Sequence, residues 1–283
     1  MPELPEVETI RRILTNGSPD SPPLPGRQIN AVSLFNTGSL ADPTPDAFIS
    51  SLIGRKIDTL GRRGKFLLIG LDERTLLFHL RMSGNLFVEP ELSSEYDSPP
   101  PRPHDRLHVH LDNQSRLVFN DTRKFGRFWL AANPASVLSK LGPEPFDPAL
   151  TEEQFFRRLR KHKRQLKPLL MDQSFLAGLG NIYTDEALFR AGLHPLTLSN
   201  RVTASQARLL LKSIRETLQA GIDHNGSSID WVYGGGNFQN YFNVYQQSGK
   251  PCPQCGQPIK RIVVGQRGTH FCPLCQPYLR EET

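Results

Sequence analysis

The amino-acid sequence predicts a multidomain α+β protein: an N-terminal antiparallel β-sandwich, a helical domain and a C-terminal cysteine hairpin. Short apolar runs between turn residues fill residues 27–130, as in a sandwich or barrel. Amphipathic helical patterns follow from residue 151. Two Cys-x-x-Cys pairs lie near the end. We therefore divide the chain into residues 1–142, a Pro-rich linker at 143–150, a helical domain at 151–245 and a cysteine domain at 246–283.

Seven strands are predicted in the first domain. They cover residues 29–35, 65–71, 75–80, 85–88, 107–111, 116–120 and 127–130. Three Pro-rich stretches, Ser18–Gly26, Ala41–Pro45 and Ser98–Pro103, are predicted as surface loops because proline cannot continue a sheet. A helix is expected to precede the strands, since apolar residues from Leu4 to Leu14 share one face.

Capping signals locate the helices of the second domain. Thr151 with Gln154, and Thr203 with Gln206, each match a capping box. The second of these opens an apolar stripe that is predicted to end at Gly221. A short apolar segment at 169–176 and a helix at 181–191 are predicted between them.

Charge is distributed unevenly along the chain. Residues 1–150 carry 17 basic against 18 acidic side chains, whereas residues 151–283 carry 17 against 10. The basic half is either a solvated face or a surface for a polyanion such as DNA. The sequence has no apolar run long enough to cross a membrane and no signal-peptide pattern, so a cytoplasmic protein is expected.

The start of the chain, Met-Pro-Glu-Leu-Pro-Glu, has two interpretations. Proline and acidic residues are common in the first turn of a helix. Removal of Met1 would also expose the secondary amine of Pro2, which can attack a sugar aldehyde carbon and form an iminium ion. Glu3 would then be placed to exchange protons beside it. Both interpretations can hold together.

The four cysteines have zinc spacing. Cys252 and Cys255 form one pair, Cys272 and Cys275 the other, and sixteen residues separate the pairs. Four thiolates fill a tetrahedral shell, so one structural Zn²⁺ is predicted; a redox pair or unligated thiols are the alternatives. The residues between the pairs predict a hairpin with its tip at 265–268, where Arg267 can reach a phosphate or remain an ordinary exposed arginine.

Three further motifs suggest contact with nucleic acid. Gly178-Leu179-Gly180 opens a helix, whose N–H groups can bind an anion. Lys65 precedes an apolar strand and either faces a cleft or extends along its edge. The loops His79–Gly84 and Arg123–Gly126 combine basic with apolar side chains that are either turn residues or a wedge for a DNA duplex.

Taken together, these motifs resemble the bacterial formamidopyrimidine-DNA glycosylase family over nearly the whole chain. The resemblance rests on residues 1–9, Lys65, 79–84, 120–126, 178–183 and the cysteine hairpin with Arg267. It implies a β-sandwich, a helix-two-turn-helix module and a zinc finger. It also implies a monomeric, bifunctional glycosylase and lyase that acts on oxidised purines in damaged double-stranded DNA.

The resemblance implies a role for each matching residue. Pro2 is the nucleophile, Glu3 the acid/base, and Glu6 supports them. Lys65 donates a proton in β-elimination and Arg267 serves the δ step. The implied DNA contacts are His79, Met82, His104, Arg123, Phe125, Lys163, Asn181 and Tyr245. Of these, His79, Asn181 and Tyr245 hold phosphates, and Met82, Arg123 and Phe125 fill the gap left by an extruded nucleotide.

Some features leave alternatives open. The insert Ser18–Gly26 is longer than in the family, and a DNA-contacting lysine of some relatives aligns with either His162 or Lys163. The Gly-rich segment Ser227–Tyr241 is predicted to cover the flipped base. The sister endonuclease VIII group, which prefers oxidised pyrimidines, is disfavoured by Leu4 and by the set Met82, Arg123 and Phe125. A non-catalytic DNA-binding protein is the alternative of a different class.

Overall fold

A computed structural model describes residues 1–90, 100–228 and 235–278 of the chain. The described residues form two units: those up to 139, together with 228 and 235, make the first, and the others from 140 onwards make the second. The predicted loops Ser98–Pro103 and Ser227–Tyr241 therefore lie partly outside the described residues. None of the described helices has the length and apolar character needed to cross a bilayer.

Two sheets and one shared core build the first unit. The strands are β1 (Ile29–Leu34), β2 (Leu40–Asp42), β3 (Ile57–Arg63), β4 (Phe66–Leu71), β5 (Arg74–His79), β6 (Gly84–Glu89), β7 (Asp105–Leu111), β8 (Arg116–Asp121) and β9 (Arg127–Ala131). One sheet has the order β1-β7-β8-β6 and the other β2-β9-β5-β4-β3. A single apolar cluster contains side chains from both sheets, including Phe78 and Phe119. The predicted sandwich is confirmed.

Two strands were not predicted. β2 occupies part of the Pro-rich stretch Ala41–Pro45, so the expectation of a loop there was wrong for residues 41 and 42. The strand lies at the sheet edge, parallel to β9, and ends before Pro43, so no ladder hydrogen bond is lost to the proline. β3 contains Asp58, Arg62 and Arg63 rather than an apolar run, yet it pairs with β4 along its length.

The insert Ser18–Gly26 is a turn with an apolar anchor. Ser18 and Ser21 form an isolated antiparallel bridge, and the residues at the turn are exposed. Leu24 is fully buried and donates its N–H to the carbonyl of Leu14 at 2.9 Å. The predicted surface loop is therefore correct for residues 18–20, while residue 24 belongs to the core.

Helices complete the first unit at its edges. α1 (Leu4–Asn16) packs against β3, β4 and β6, and α2 (Pro45–Leu52) packs against β1. The short helix α3 (Ala135–Leu138) follows the last strand. The apolar face predicted for the N-terminal helix, from Leu4 to Leu14, is buried.

The second unit contains four α-helices, two short 3₁₀ helices (Ser199–Arg201 and Phe238–Tyr241) and a hairpin among its described residues. The α-helices and the hairpin strands are α4 (Glu152–Arg160), α5 (Leu166–Leu170), α6 (Asn181–Arg190), α7 (Ala204–Asp223), β10 (Lys260–Val264) and β11 (Arg267–Phe271). Both predicted capping boxes are present, at Thr151 and Thr203. The segment predicted as a linker is fixed to this unit, because the Arg215 guanidinium donates to the carbonyls of Pro145 and Leu150.

Helix α7 does not end at Gly221, as its sequence suggested, but continues to Asp223. A Cβ atom at Gly221 would lie 2.4 Å from Cε1 of Tyr183, so the glycine serves close packing rather than termination. The helix ends where Asn225 and Gly226 adopt positive φ angles and the N–H of Gly226 reaches the carbonyl of Gly221 at 2.7 Å.

Candidate active site, DNA-contact residues and zinc centre

The N-terminus places a proline and two carboxylates together at the start of α1. Pro2 is buried, and Glu3 and Glu6 are each 1% exposed. Glu3 caps the helix: its side chain accepts the backbone N–H of Glu6, whose Oε2 accepts the backbone N–H of Glu3 at 2.8 Å. A helix N-terminus stabilises negative charge. Two carboxylates can therefore be kept here out of water, next to the residue predicted as the nucleophile.

Lys65 lies in a two-residue turn between β3 and β4, rather than in the strand that was predicted to begin with it. Gly64, the first residue of the turn, has a φ of 56°, as tight hairpins require. The Arg62 guanidinium donates to the carbonyl of Gly64 at 3.0 Å and to Glu8 of α1 at 3.3 Å. These bonds hold the turn against the N-terminal helix. Lys65 itself is only 4% exposed.

His79 stands at the end of β5, in register with Phe66, the residue after Lys65. Burial, helped by the nearby charges of Arg81 and Lys65, lowers the pKa of His79 to about 3. Its Nδ1 accepts the backbone N–H of Arg81 at 3.1 Å. The proton of the neutral ring is therefore on Nε2, so the residue can donate a hydrogen bond to a phosphate without carrying charge.

The predicted gap-filling residues lie on two loops of the first unit. Phe125 is 50% exposed, and the Arg123 guanidinium lies 4.8 Å from the centre of its ring. Met82 is half-buried on the other loop. An exposed aromatic ring stacked on a guanidinium presents two flat faces, which suits insertion between bases. His104 directly precedes β7; its side chain is exposed and its φ angle is 78°.

In the second unit, Asn181 joins α6 to the cysteine hairpin. Gly180 caps α6 and Asn181 is its first residue. The Asn181 Nδ2 donates to the carbonyl of Gly268 at 3.2 Å and to the Tyr245 hydroxyl at 3.5 Å. The carboxylate of Glu186 in turn accepts the N–H of Tyr245 at 2.8 Å. The structure thus brings Asn181 and Tyr245 together.

Arg267 and Lys163 are exposed residues of the same unit. The hairpin turn consists of Gly265 and Gln266, with φ angles of 55° and 62°, which is the type I′ pattern. Arg267 therefore does not lie at the tip but begins β11, paired with Val264. Lys163 lies in the segment between α4 and α5.

The four cysteines converge on one point. Their Sγ atoms all lie within 4.8 Å of one another. Four thiolates at such distances suit tetrahedral zinc, and no ligand position remains for substrate. The Gln276 side chain accepts the N–H of Cys272 at 2.9 Å and donates to the carbonyl of Leu193 at 2.8 Å, which ties the centre to the segment that follows α6. The predicted single structural zinc is confirmed.

Several residues that support the site are not indicated by the sequence. The buried Lys167 donates to Asp185 at 2.6 Å and to the carbonyl of Gly268 at 3.0 Å. Glu8 and Arg62 hold the Lys65 turn, and Glu186 holds the segment before the zinc centre. Lysine and glutamate are ordinarily surface residues, so only their places within apolar helical stretches could have indicated burial.

Within each unit the predicted residues form groups. In the first unit, Pro2, Glu3 and Glu6 form one group and Lys65 and His79 a second. Arg123 and Phe125 form a third, and Met82 lies on the loop whose Ser83 bonds to Arg123. Asn181 and Tyr245 form a group in the second unit, next to the hairpin that carries Arg267. His104 and Lys163 are exposed and stand outside these groups.

Comparison with known proteins matches all three modules. Family models for the formamidopyrimidine-DNA glycosylase N-terminal domain, its H2TH domain and the zinc finger found in FPG and IleRS match residues 1–128, 141–232 and 249–277. The formamidopyrimidine-DNA glycosylase of Chloroflexus aurantiacus is 44% identical, with 98% of each chain covered. That of Pelotomaculum thermopropionicum is 41% identical, covering 98% of this chain and 99% of its own.

Solved structures of the same family are similar to this chain over nearly its whole length. The Lactococcus lactis enzyme bound to FAPY-dG-containing DNA matches with a TM-score of 0.87 and 36% identity, over 98% of this chain and 100% of the other. Its complex with abasic-site DNA matches equally well, with a TM-score of 0.87. The fold and the zinc centre thus define a zinc-finger DNA glycosylase of base excision repair. The chain belongs to the formamidopyrimidine-DNA glycosylase family.

Proposed function

We propose that this protein excises oxidised purines, such as 8-oxoguanine and formamidopyrimidines, from damaged duplex DNA and then cuts the strand as a lyase. The observation that carries the proposal is full-length similarity at 44% identity to a formamidopyrimidine-DNA glycosylase. Support also comes from the similar Lactococcus lactis enzyme, which is bound to FAPY-dG-containing DNA in one structure and to abasic-site DNA in another.

In the proposed reaction Pro2 becomes the nucleophile after Met1 is removed. Its nitrogen forms a bond to C1′ of the damaged nucleotide and gives up its proton, while the bond from C1′ to the base breaks with its electrons and the departing base takes up a proton. Glu3 protonates the ring oxygen as the sugar opens, which leaves an iminium ion. The burial of Glu3 and its cap on α1 support this role, because they fix the carboxyl beside Pro2. Glu6 holds the Glu3 backbone in place.

Strand cleavage follows from the iminium ion. It acidifies the hydrogen on C2′, and loss of that proton expels the 3′ phosphate in β-elimination. A second elimination expels the 5′ phosphate. Lys65 is proposed as a proton donor in the first step, and Arg267 is proposed to serve the second. For Lys65 the support is its fixed turn beside α1. Zinc takes no part in these steps, since its four cysteine ligands complete its shell.

The proposed DNA contacts divide by chemistry. His79, Asn181 and Tyr245 hold phosphates, for which the neutral Nε2–H of His79 is a suitable donor. Met82, Arg123 and Phe125 fill the space of the extruded nucleotide, while His104 and Lys163 contact the DNA as exposed polar side chains. We further propose that the protein acts as a monomer, with residues 1–142, 151–245 and 246–283 as its domains and 143–150 between them.

Borohydride trapping tests the reaction. A duplex with 8-oxoguanine opposite cytosine is incubated with protein whose Met1 is confirmed removed, and sodium borohydride reduces the iminium to a stable adduct. Mass spectrometry should locate the adduct on Pro2. A matched protein that retains Met1 should form none, because its Pro2 nitrogen is an amide. Absence of the adduct in the processed protein would sink the mechanism and favour a non-catalytic DNA-binding protein.

The same assay distinguishes the sister group. The endonuclease VIII alternative predicts adducts on duplexes with thymine glycol and none on 8-oxoguanine opposite cytosine. We expect the reverse, with 8-oxoguanine the better substrate.

A further inference from the structure

Two loops of the first unit run side by side from one sheet to the other. Residues 80–83 lead from β5 to β6, and residues 122–126 lead from β8 to β9. β5 pairs with β9 and β6 pairs with β8, with His79 opposite Arg127 and Gly84 opposite Asp121. Both ends of the two loops are therefore neighbours. We call residues 80–83 and 122–126 the crossover loops; one carries Met82 and the other carries Arg123 and Phe125.

A single buried carboxylate bonds the crossover loops to each other. Oδ1 of Asp121 accepts the Ser83 hydroxyl and the N–H of Arg123, and Oδ2 accepts the N–H of Gly126 at 2.7 Å. The Ser83 oxygen in turn accepts the N–H of Arg123 at 3.0 Å. Asp121 is 0% and Ser83 4% exposed. Both oxygens of the carboxylate are thus used, and both loops depend on them.

The surroundings leave these bonds little freedom to move. The Arg106 guanidinium donates twice to the backbone carbonyl of Asp121, at 2.9 and 2.7 Å. A Cβ atom at Gly126 would lie 2.5 Å from Cζ of Phe119, and one at Gly84 would lie 3.0 Å from Cε2 of the same ring. One crossover loop, through Gly126, and the strand residue that directly follows the other, Gly84, are therefore packed on the same buried aromatic ring.

We propose that Asp121 and Ser83 are positioning residues that join the crossover loops into one preorganised wedge for base extrusion. The inference rests on the proposed function, in which Met82, Arg123 and Phe125 enter the duplex. Unstacking a nucleotide costs a few kcal/mol, and a loop that must be ordered at that moment adds to the barrier. Two loops fixed beforehand avoid that addition, so their joint rigidity acts on extrusion rather than on the chemical steps.

Two substrates separate an effect on base extrusion from an effect on the chemical steps. The first is a duplex with 8-oxoguanine opposite cytosine, which requires extrusion; the second is a single strand with a preformed abasic site, which does not. Single-turnover rates are measured on both for Ser83→Ala, Ser83→Thr and Asp121→Asn. Loss of a buried hydrogen-bond partner corresponds to about a tenfold effect, so Ser83→Ala should slow the duplex reaction about tenfold more than the single-strand reaction. Ser83→Thr retains the hydroxyl and should restore most of the rate.

Fluorescence of 2-aminopurine beside the lesion reports extrusion directly. The fluorescence intensity rises when the neighbouring nucleotide is extruded. This rise should be slower in Ser83→Ala and Asp121→Asn than in the wild type. It should be unchanged in the control Asp72→Asn, which alters an exposed carboxylate of the same sandwich. Wild-type extrusion in both test variants would overturn the inference, and so would equal losses on the two substrates, which indicate a merely structural role. If the wild-type protein forms no Pro2 adduct, the proposed function itself fails. That outcome is distinguishable from failure of the positioning role, because it does not depend on the Ser83 and Asp121 variants.

Discussion

The ammonium group of Lys167 lies 2.6 Å from Oδ1 of Asp185, and neither side chain is exposed to solvent. The same ammonium donates to the carbonyl of Gly268, while the other carboxylate oxygen accepts the N–H of His270 at 2.9 Å. One buried ion pair therefore links α5, α6 and β11. Together with the bond from Asn181 to Gly268, this ion pair holds the zinc hairpin on the helices.

Removing one partner of this pair should be strongly destabilising. Lys167→Met leaves the Asp185 carboxylate buried without its cation, at a cost of about 3–5 kcal/mol. Urea unfolding of the second unit measures the loss. The double variant Lys167→Met with Asp185→Leu should recover much of it. Arg190→Met, which breaks an exposed pair with Glu216, should cost about 0–1 kcal/mol. Equal effects of the buried and exposed changes would contradict this account.

His79 should make the sandwich less stable in acid. Its pKa of about 3 in the folded protein lies below the ordinary histidine value of 6.5. The unfolded chain therefore binds more protons between these values, and stability present above pH 6.5 is lost as the pH falls towards 3. At pH 5 the loss amounts to about 2 kcal/mol.

The variant His79→Gln isolates that contribution. Urea unfolding at pH 7 and pH 5 should show a smaller pH dependence than in the wild type, by about 2 kcal/mol. His104→Asn, at an exposed position, should leave the pH dependence as it is. An unchanged slope in His79→Gln would show that burial of this ring does not govern acid sensitivity.

Gly221 should tolerate no side chain despite its helical position. Alanine is the better helix former, so an exposed site would gain about 1 kcal/mol from Gly221→Ala. Here the added methyl would meet the Tyr183 ring at 2.4 Å, and overpacking should cost about 1–3 kcal/mol instead. Thermal unfolding decides the sign. Gln219→Ala, on the exposed side of α7, serves as the helix control and should be nearly neutral.

Zinc removal should affect the second unit alone. Chelation deprives four converging thiolates of their ion, so the hairpin loses its fold and DNA binding is abolished. The N-terminal sandwich has its own apolar core and should stay folded. Circular dichroism and electrophoretic mobility shift measure the two effects. Unchanged DNA affinity after confirmed zinc loss would count against a role for the finger in binding.

Much of the fold could be predicted from local sequence patterns. Alternating apolar runs located seven strands, and two capping boxes located the starts of α4 and α7. The cysteine spacing located the zinc centre, because each Cys-x-x-Cys turn is itself a local structure. In all these cases the determining residues lie within a few positions of one another.

Features that depend on distant residues could not be predicted in this way. In the sequence Gly221 resembles a helix end, because the residue that explains it, Tyr183, lies in another helix. Strand β3 lacks an apolar run that would identify it in the sequence, and it is recognised only by its pairing with β4. Asp121 lies within the motif at residues 120–126, yet its bond to Ser83 requires the sheet register that makes the two loops neighbours. Likewise, nothing near Lys167 in sequence indicated that its partner is Asp185.

The turn closed by Ser18 and Ser21 has a practical consequence. Its residues are exposed, and buried Leu24 secures the chain behind it. A fluorophore or affinity handle inserted between Pro19 and Asp20 would therefore sit on a closed, solvent-facing bend. Such an attachment point lets the enzyme be immobilised or followed in single-molecule experiments without touching the amino end, where an added tag would block the proposed nucleophile Pro2.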